Sequence, residues 1–198
     1  EVVVTGSLIR GVAAVGSQTL GLDKQDMTQI GAVTTNELLA SIPQVSNYFN
    51  QRADQDPRGA ARLQVNRPNL RNLPGINDAS GATTLVLVDS HRMAPVGTDQ
   101  SSVDPDIIPQ SVIERVDVVT DGGSSLYGAD AVGGVINFIT LKEFEGVQLN
   151  LGYDTADDFN GWQGSVLAGT KWDSGSGYIS VATTDQDNVK NDDRDWAA

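Results

Sequence analysis

Asp89, Ser90 and His91 are three adjacent residues that, on a suitable scaffold, could supply a hydrolytic nucleophile, base and carboxylate. Adjacency works against them. Neighbours on a strand point to opposite faces, so consecutive residues cannot assemble a triad by themselves. No G-x-S-x-G elbow occurs in the chain. His91 is the only histidine and there is no cysteine, which excludes His-rich zinc sites and thiolate chemistry. Residues 122–134, GGSSLYGADAVGG, have the glycine content of a phosphate cradle. No Gly-Lys-Ser/Thr follows and no G-x-G-x-x-G opens a helix, so tight turns are the better reading. Asp185 and Asp187 begin like a calcium loop, but position six is Lys190 and position twelve is Trp196. A calcium loop needs Gly and Glu there; a solvated acidic loop is expected. No catalytic residue, resident metal or cofactor is therefore expected. The polar side chains of the long loops remain, as directional partners for a small ligand.

Charge narrows the class further. Thirteen Lys and Arg stand against 26 Asp and Glu, a net charge of −13. Such a surface repels phosphate backbones, so nucleic acid is not an expected partner. No stretch approaches 18 apolar residues, which excludes a transmembrane helix but not a membrane barrel, whose strands alternate. There is also no charged-then-apolar leader; an exported protein would already have lost it. The charge is uneven: residues 1–144 hold 16 acids and 10 bases, residues 145–198 hold 10 acids and 3 bases. The texture changes at the same point to Gly, Asp and aromatics. A boundary is expected near Phe144, with 1–5 as a separate terminal segment, 6–144 as one domain and 145–198 as the start of another.

The elements that must position the loops are short. Glu1–Thr5 (EVVVT) and Gln18–Leu22 read as strands. Asp23 can cap a helix through Ile30 closed by Gly31. Thr34 or Thr35 can cap a second helix, Asn36–Ser41, with Leu38, Leu39 and Ile42 facing a core and Pro43 ending it. Residues 46–62 form a long polar stretch, either a binding loop or disorder. Leu63–Leu73 is a broken strand and Pro74–Thr83 a turn-rich loop. Thr84–Asp89 (TLVLVD) is apolar enough for a strand buried on both faces. Arg92–Ser102 is a third polar loop, and Asp104–Ile113 a Pro-punctuated turn or short helix. Arg115–Thr120 and Val135–Thr140 are strands. Together these make a small domain of mixed sheet, short helices and long loops.

Beyond Phe144 the period becomes two. Val147, Leu149, Leu151 and Tyr153 alternate with polar or small residues, as do the even residues from Trp162 to Trp172. Strands of about 10 residues with this pattern suit a tilted barrel wall. Trp162 and Trp172 share a face; at ~3.3 Å per residue and ~40° tilt they lie about 25 Å apart along a membrane normal, the spacing of two aromatic girdles. An ordinary soluble hairpin with two surface tryptophans also fits. Gly177–Thr184 is a third candidate strand.

Several segments resemble TonB-dependent outer-membrane receptors, in order and over most of the chain. EVVVT at 1–5 resembles the TonB box. TTNELLASIPQV at 34–45, NLRNL at 69–73 and TLVLVDSHRM at 84–93 resemble successive motifs of the plug. The most specific is IPQSVIERVDVVTDGGSSLYGADAVGGVINFIT at 108–140, with YG, GGVIN and IT in register. The resemblance implies an α+β plug domain followed by the first antiparallel strands of a transmembrane β-barrel. Two or three strands cannot close a barrel, so further barrel strands are implied as partners. It also implies a bacterial outer-membrane location and a TonB-type energy-coupling protein as partner. The function implied is uptake of a scarce small nutrient or metal chelate, not catalysis.

The resemblance also distributes roles. Glu1, Val2, Val3, Val4 and Thr5 would bind the coupling protein by adding a strand to a partner sheet, although a strand of the domain's own sheet is the alternative. Arg52, Arg58, Asn77, Asp78, Arg92, Asp99 and Gln100 lie in loops that would touch substrate. Arg71, Arg115 and Asp117 would contact the barrel. Three departures from the family pattern matter: Gln44, Asn72 and Ser90 stand where glycine is usual. Each such glycine permits a tight turn or positive φ, so these turns are expected to differ, with Asn72 the best placed to go left-handed. Two other functions stay open: a soluble binding module with surface hairpins, and a hydrolase built on Ser90.

Overall fold

The computed structural model describes residues 5, 19–32, 34–45, 49–50, 66–71, 73, 83–94, 103–121, 123–156 and 159–187. Two sheets dominate it. The first has five strands in the order β1 (Thr19–Asp23), β6 (Ile113–Val119), β7 (Gly134–Thr140), β4 (Thr84–Val88) and β5 (His91–Arg92). Only β4 and β7 run parallel; the other pairs are antiparallel. A two-residue pair, β2 (Phe49–Asn50) with β3 (Asn66–Arg67), stands apart. The second sheet is an antiparallel meander of β8 (Gly146–Ala156), β9 (Phe159–Trp172) and β10 (Gly175–Gln186).

The helices form where their caps lie. Asp23 accepts from the N–H groups of Gln25 and Asp26 while Asp26 reaches back to the Asp23 N–H, a full capping box for α1 (Lys24–Ile30). Gly31 closes α1 at φ 74. Thr34 and Glu37 make the same reciprocal pair for α2 (Thr35–Ala40). Met27, Leu38, Leu39 and Ile42 pack with Val86, Val116, Val118, Ile136 and Phe138 on one face of the mixed sheet. The other face carries a smaller apolar group, Leu85, Leu87, Val119, Ala131 and Val135. As expected, β4 is buried on both faces; β7 is too. The Pro-punctuated stretch after residue 103 is two 3-10 turns, Pro105–Ile107 and Gln110–Val112.

The Gly-rich segment is turns, as read. It contains a one-turn helix α3 (Ser124–Tyr127) and a 3-10 turn, Ala129–Ala131. The Gly133–Gly134 pair has a steric cause. Added Cβ atoms would lie 2.9 Å from the Thr83 carbonyl oxygen and 2.5 Å from that of Val119, and Gly134 also has φ 134.

The expected changes at the missing glycines resolve differently at each place. Asp89 (φ 47) and Ser90 (φ 68) are both left-handed, so the two-residue β4–β5 turn keeps the geometry that glycine would ease. A left-handed side chain costs roughly 1–2 kcal/mol. Hydrogen bonds offset it: Asp89 accepts from the Thr140 N–H (2.9 Å) and hydroxyl (2.6 Å), and its own N–H donates to the Phe138 carbonyl. In the other motif Arg71 takes positive φ (65); Asn72 lies outside the described residues.

β8–β10 alternate as the period-two pattern requires. Gln163, Ser165 and Leu167 turn inward and are buried, while Trp162, Val166 and Trp172 turn outward with Val147, Leu149, Leu151, Ile179 and Val181. No helix among the described residues is long and apolar enough to cross a membrane.

Replacing Asp89 with Ala should free the Thr140 N–H and leave the turn strain uncompensated. Amide exchange at Thr140 should accelerate, and the domain should lose about 2 kcal/mol of unfolding free energy in urea.

Candidate functional site

The ends of the mixed sheet differ in content. The parallel register sets Thr84 beside Gly134 and Val88 beside Phe138. Thr83 lies at the Gly134 end, β5 runs back toward it, and the turns of 123–133 also lie there. At the opposite end are the Asp89–Ser90 turn, Thr140 and the short linker to β8. The turn end leads to the wall strands.

Between these ends the second face of the sheet holds a buried polar cluster. Asp117 on β6 and Asn137 on β7 are direct cross-strand partners. Thr5 sits against them, 1% exposed. Its hydroxyl donates to Asp117 Oδ2 at 2.7 Å and accepts from Asn137 Nδ2 at 2.8 Å. Arg115 Nε donates to the other oxygen of Asp117 at 2.8 Å, with Nη2 at 3.2 Å from Oδ2. Asn137 Oδ1 accepts from the Ser90 N–H at 3.0 Å. One chain of hydrogen bonds thus runs from Arg115 through Asp117, Thr5 and Asn137 to the β4–β5 turn. Asn137 is fully buried, and a buried polar network is stable only when its members are satisfied.

The wall is met by polar contacts. Gln163 Nε2 on β9 donates to Glu37 Oε1 on α2 at 3.1 Å. Ser111 and Ser180 share a hydrogen bond at 2.8 Å, and the Tyr178 hydroxyl donates to the Leu141 carbonyl. A cleft of about 290 Å³ remains between α1 and β8, lined by Lys24, Met27, Gln110, Gln148 and Asn150 among others.

The residues read from sequence fare unevenly. Glu1, Val2, Val3, Val4, Arg52, Arg58, Asn77, Asp78, Asp99 and Gln100 lie outside the described residues. Thr5, Arg115 and Asp117 come together, but on the sheet of the domain itself. Arg71 is exposed on a turn. Arg92 pairs with Asp130 at 2.5 Å and donates to the Tyr127 carbonyl, tying β5 to the Gly-rich turns. The Asp89 carboxylate engages Thr140 rather than His91, whose Nδ1 meets the Asp89 carbonyl oxygen, so these three residues do not form a triad. Asp185 accepts from Trp162 Nε1 and Asp187 from the Asn160 N–H. No cluster of metal-ligating side chains occurs among the described residues. Sequence reasoning missed Asn137, Glu37 and Gln163. A lone Asn within VINFIT was the available signal for the first.

The sequence model for the family described as TonB-dependent Receptor Plug Domain matches residues 12–135. The chain belongs to that family. Solved receptors carry the same architecture of plug and first wall strands. The ferric citrate transporter FecA in its unliganded form aligns at a TM-score of 0.60 and 24% identity, over 85% of this chain and 25% of that one. The siderophore receptor PiuA from Acinetobacter baumannii gives 0.57 and 18%, over 85% and 20%. The ferric yersiniabactin uptake receptor FyuA from Yersinia pestis gives 0.58 and 13%, over 85% and 24%. This TonB-dependent receptor plug and its strands thus span about a quarter of the length of the receptors they resemble.

In the plug, replacing Asn137 with Leu should strand the Ser90 N–H and the Thr5 hydroxyl in an apolar setting. A loss of about 2–3 kcal/mol in unfolding free energy is expected, read from the urea midpoint.

Proposed function

We propose that this chain is the plug and first wall strands of an outer-membrane receptor that takes up a scarce small nutrient, an iron chelate before other classes, under the pull of a TonB-type protein. The observation that carries the reading is the two-sided wall. β8–β10 turn Gln163, Ser165, Leu167 and Ser180 onto a family plug and an apolar surface of Val147, Leu149, Leu151, Val166, Ile179 and Val181 away from it. In water that outer surface would be a large exposed patch; in lipid it is the low-energy face. The iron-chelate preference rests on the solved receptors named above, a ferric citrate transporter, a siderophore receptor and a ferric yersiniabactin uptake receptor.

Within this reading the domains are a coupling segment at 1–5, a plug at 6–144 and a barrel start at 145–198. Glu1–Thr5 add a strand to the coupling protein's sheet, where main-chain hydrogen bonds bear tension without side-chain specificity. Arg52, Arg58, Asn77, Asp78, Asp99 and Gln100, in loops at 46–62, 74–83 and 92–102, meet the ligand; Arg92, held by Asp130, is the fixed end of the last loop. Arg71, exposed on its turn, is assigned the contact with the barrel strands that complete the wall, with Arg115 and Asp117 assigned to it through their shared ion pair.

Two measurements test this. Brominated lipid should quench Trp162 and Trp172 in the reconstituted receptor, each assigned by replacing the other with Phe. An unquenched ring would remove it from the lipid face. A paired assay of binding and energy-dependent accumulation should separate the two ends. Val3→Pro deletes a backbone donor and fixes φ, so it should bind normally and fail to accumulate. Gln100→Ala should weaken binding by roughly tenfold, the worth of a hydrogen bond of about 1.4 kcal/mol. Normal accumulation by Val3→Pro would make residues 1–5 an ordinary part of the plug.

A further inference from the structure

The strap between β7 and β8, residues 141–145, is tied on both sides. On the plug side the Leu141 N–H donates to the Val112 carbonyl at 2.9 Å. On the wall side the strap skips the strand it leads into and docks on the next two. The Tyr178 hydroxyl on β10 donates to the Leu141 carbonyl at 2.8 Å, and Glu143 pairs with Lys171 on β9. Phe144 lies against Gly169 of β9, where an added Cβ would meet its carbonyl oxygen at 2.5 Å and its ring at 3.1 Å. The Lys24 ammonium of α1 stands 5.6 Å from the centre of the same ring. Gly146, at φ 111, turns the chain into β8 directly opposite Gly169. Gly169 and Tyr178 are themselves cross-strand partners, so one spot on the wall receives the strap.

Gln163 lies six residues before Gly169 on β9, about 20 Å away at ~3.3 Å per residue. The contact there is of another quality. Gln163 Nε2 donates to Glu37 on α2, but the side chain is buried and its Oε1 has no hydrogen-bond partner among the described residues. A buried acceptor without a donor is a cost that water removes as soon as the contact opens.

We propose that residues 141–145 are the pivot of the plug on its wall, and that the two layers part first at Gln163–Glu37 and last at this strap. The pivot does not rest on the function proposed above. The Glu143–Lys171 pair is half exposed and adds little; the Tyr178 hydroxyl and the Phe144 ring carry the hold. They keep their place while the far contact exchanges one hydrogen bond for water. The plug then tilts rather than leaves, and the end of β7 keeps its register to the wall.

The test uses the purified full-length receptor, cysteine-free apart from Ser165→Cys, and two readouts. Ser165 is buried on the inner face of β9, two residues from Gln163, so maleimide labelling there reads the far contact. Exchange of the Leu141 amide, followed by mass spectrometry of fragment ions, reads the strap. Gln163→Met removes the donor to Glu37 and should speed labelling about tenfold while Leu141 exchange keeps its original rate. Phe144→Ala with Tyr178→Phe should speed Leu141 exchange about tenfold. Tyr178→Phe alone, which deletes one oxygen and leaves the packing, should give part of that rise. Equal acceleration of both readouts by Gln163→Met overturns the pivot, because plug and wall would then part as one. So does unchanged Leu141 exchange in Phe144→Ala with Tyr178→Phe, because the chain connection alone would then place the strap. Unchanged labelling with Gln163→Met overturns the assignment of that contact as the place of first opening.

Discussion

Everything in this plug is built on β7. Seven residues, Gly134–Thr140, pair with β6 on one edge and β4 on the other, and six of the seven are buried. A strand covered on both faces and both edges has no freedom of register, because a slip of one residue would exchange Ile136 and Phe138 with Val135 and Asn137. The start is fixed by Gly134, where no Cβ fits beneath the Val119 carbonyl. The end is fixed by Asp89, which accepts both polar hydrogens of Thr140. The first wall strand begins six residues later at Gly146, so the placement of β7 also sets where the wall starts.

The two faces of that strand do different work. Ile136 and Phe138 look toward α1 and α2 and join the larger core. Val135 and Asn137 look the other way, where the apolar group is small and a polar network takes over. An apolar layer is non-directional and tolerates small shifts. A hydrogen-bonded layer, once its members are satisfied, specifies one arrangement. The side carrying Thr5 is the directional one.

Much of this was legible because it is local. Asp23 with Asp26 and Thr34 with Glu37 are capping boxes within four residues, and both helices start where those pairs stand. The alternation after Phe144 named the outward faces of Trp162 and Trp172, which the strands bear out. The Asp89–Ser90 turn was legible as a site of change but not in its outcome, since only the contacts of Asp89 with Thr140 and Phe138 and of the Ser90 N–H with Asn137, about 50 residues away, show how the turn is held left-handed. The Thr5–Asp117–Asn137 cluster was not legible. Its members are 112 and 132 residues from Thr5, and nothing in RVDVV or VINFIT states that their polar members face each other. Arg92 illustrates the same limit: a loop arginine reads as a free donor until Asp130 is folded next to it.

The contact between plug and wall is of another kind from the plug's interior. Across it the chain places Gln163 on Glu37, Ser180 on Ser111 and a tyrosine hydroxyl on a carbonyl, with a cleft beside them. Each such bond is worth about 1 kcal/mol net, since water replaces it when it opens. Parting the layers inside the plug would instead expose Leu38, Leu39, Ile136 and Phe138, at ~1.5–3 kcal/mol for each large side chain. The wall contact is thus the cheaper one to open. Opening it would bare Leu167 on β9 and the Met27 and Ile113 side chains beside the cleft, while Ile136 and Phe138 stay covered by the helices. A domain made this way yields first along its wall contact and last at the strand that organises it.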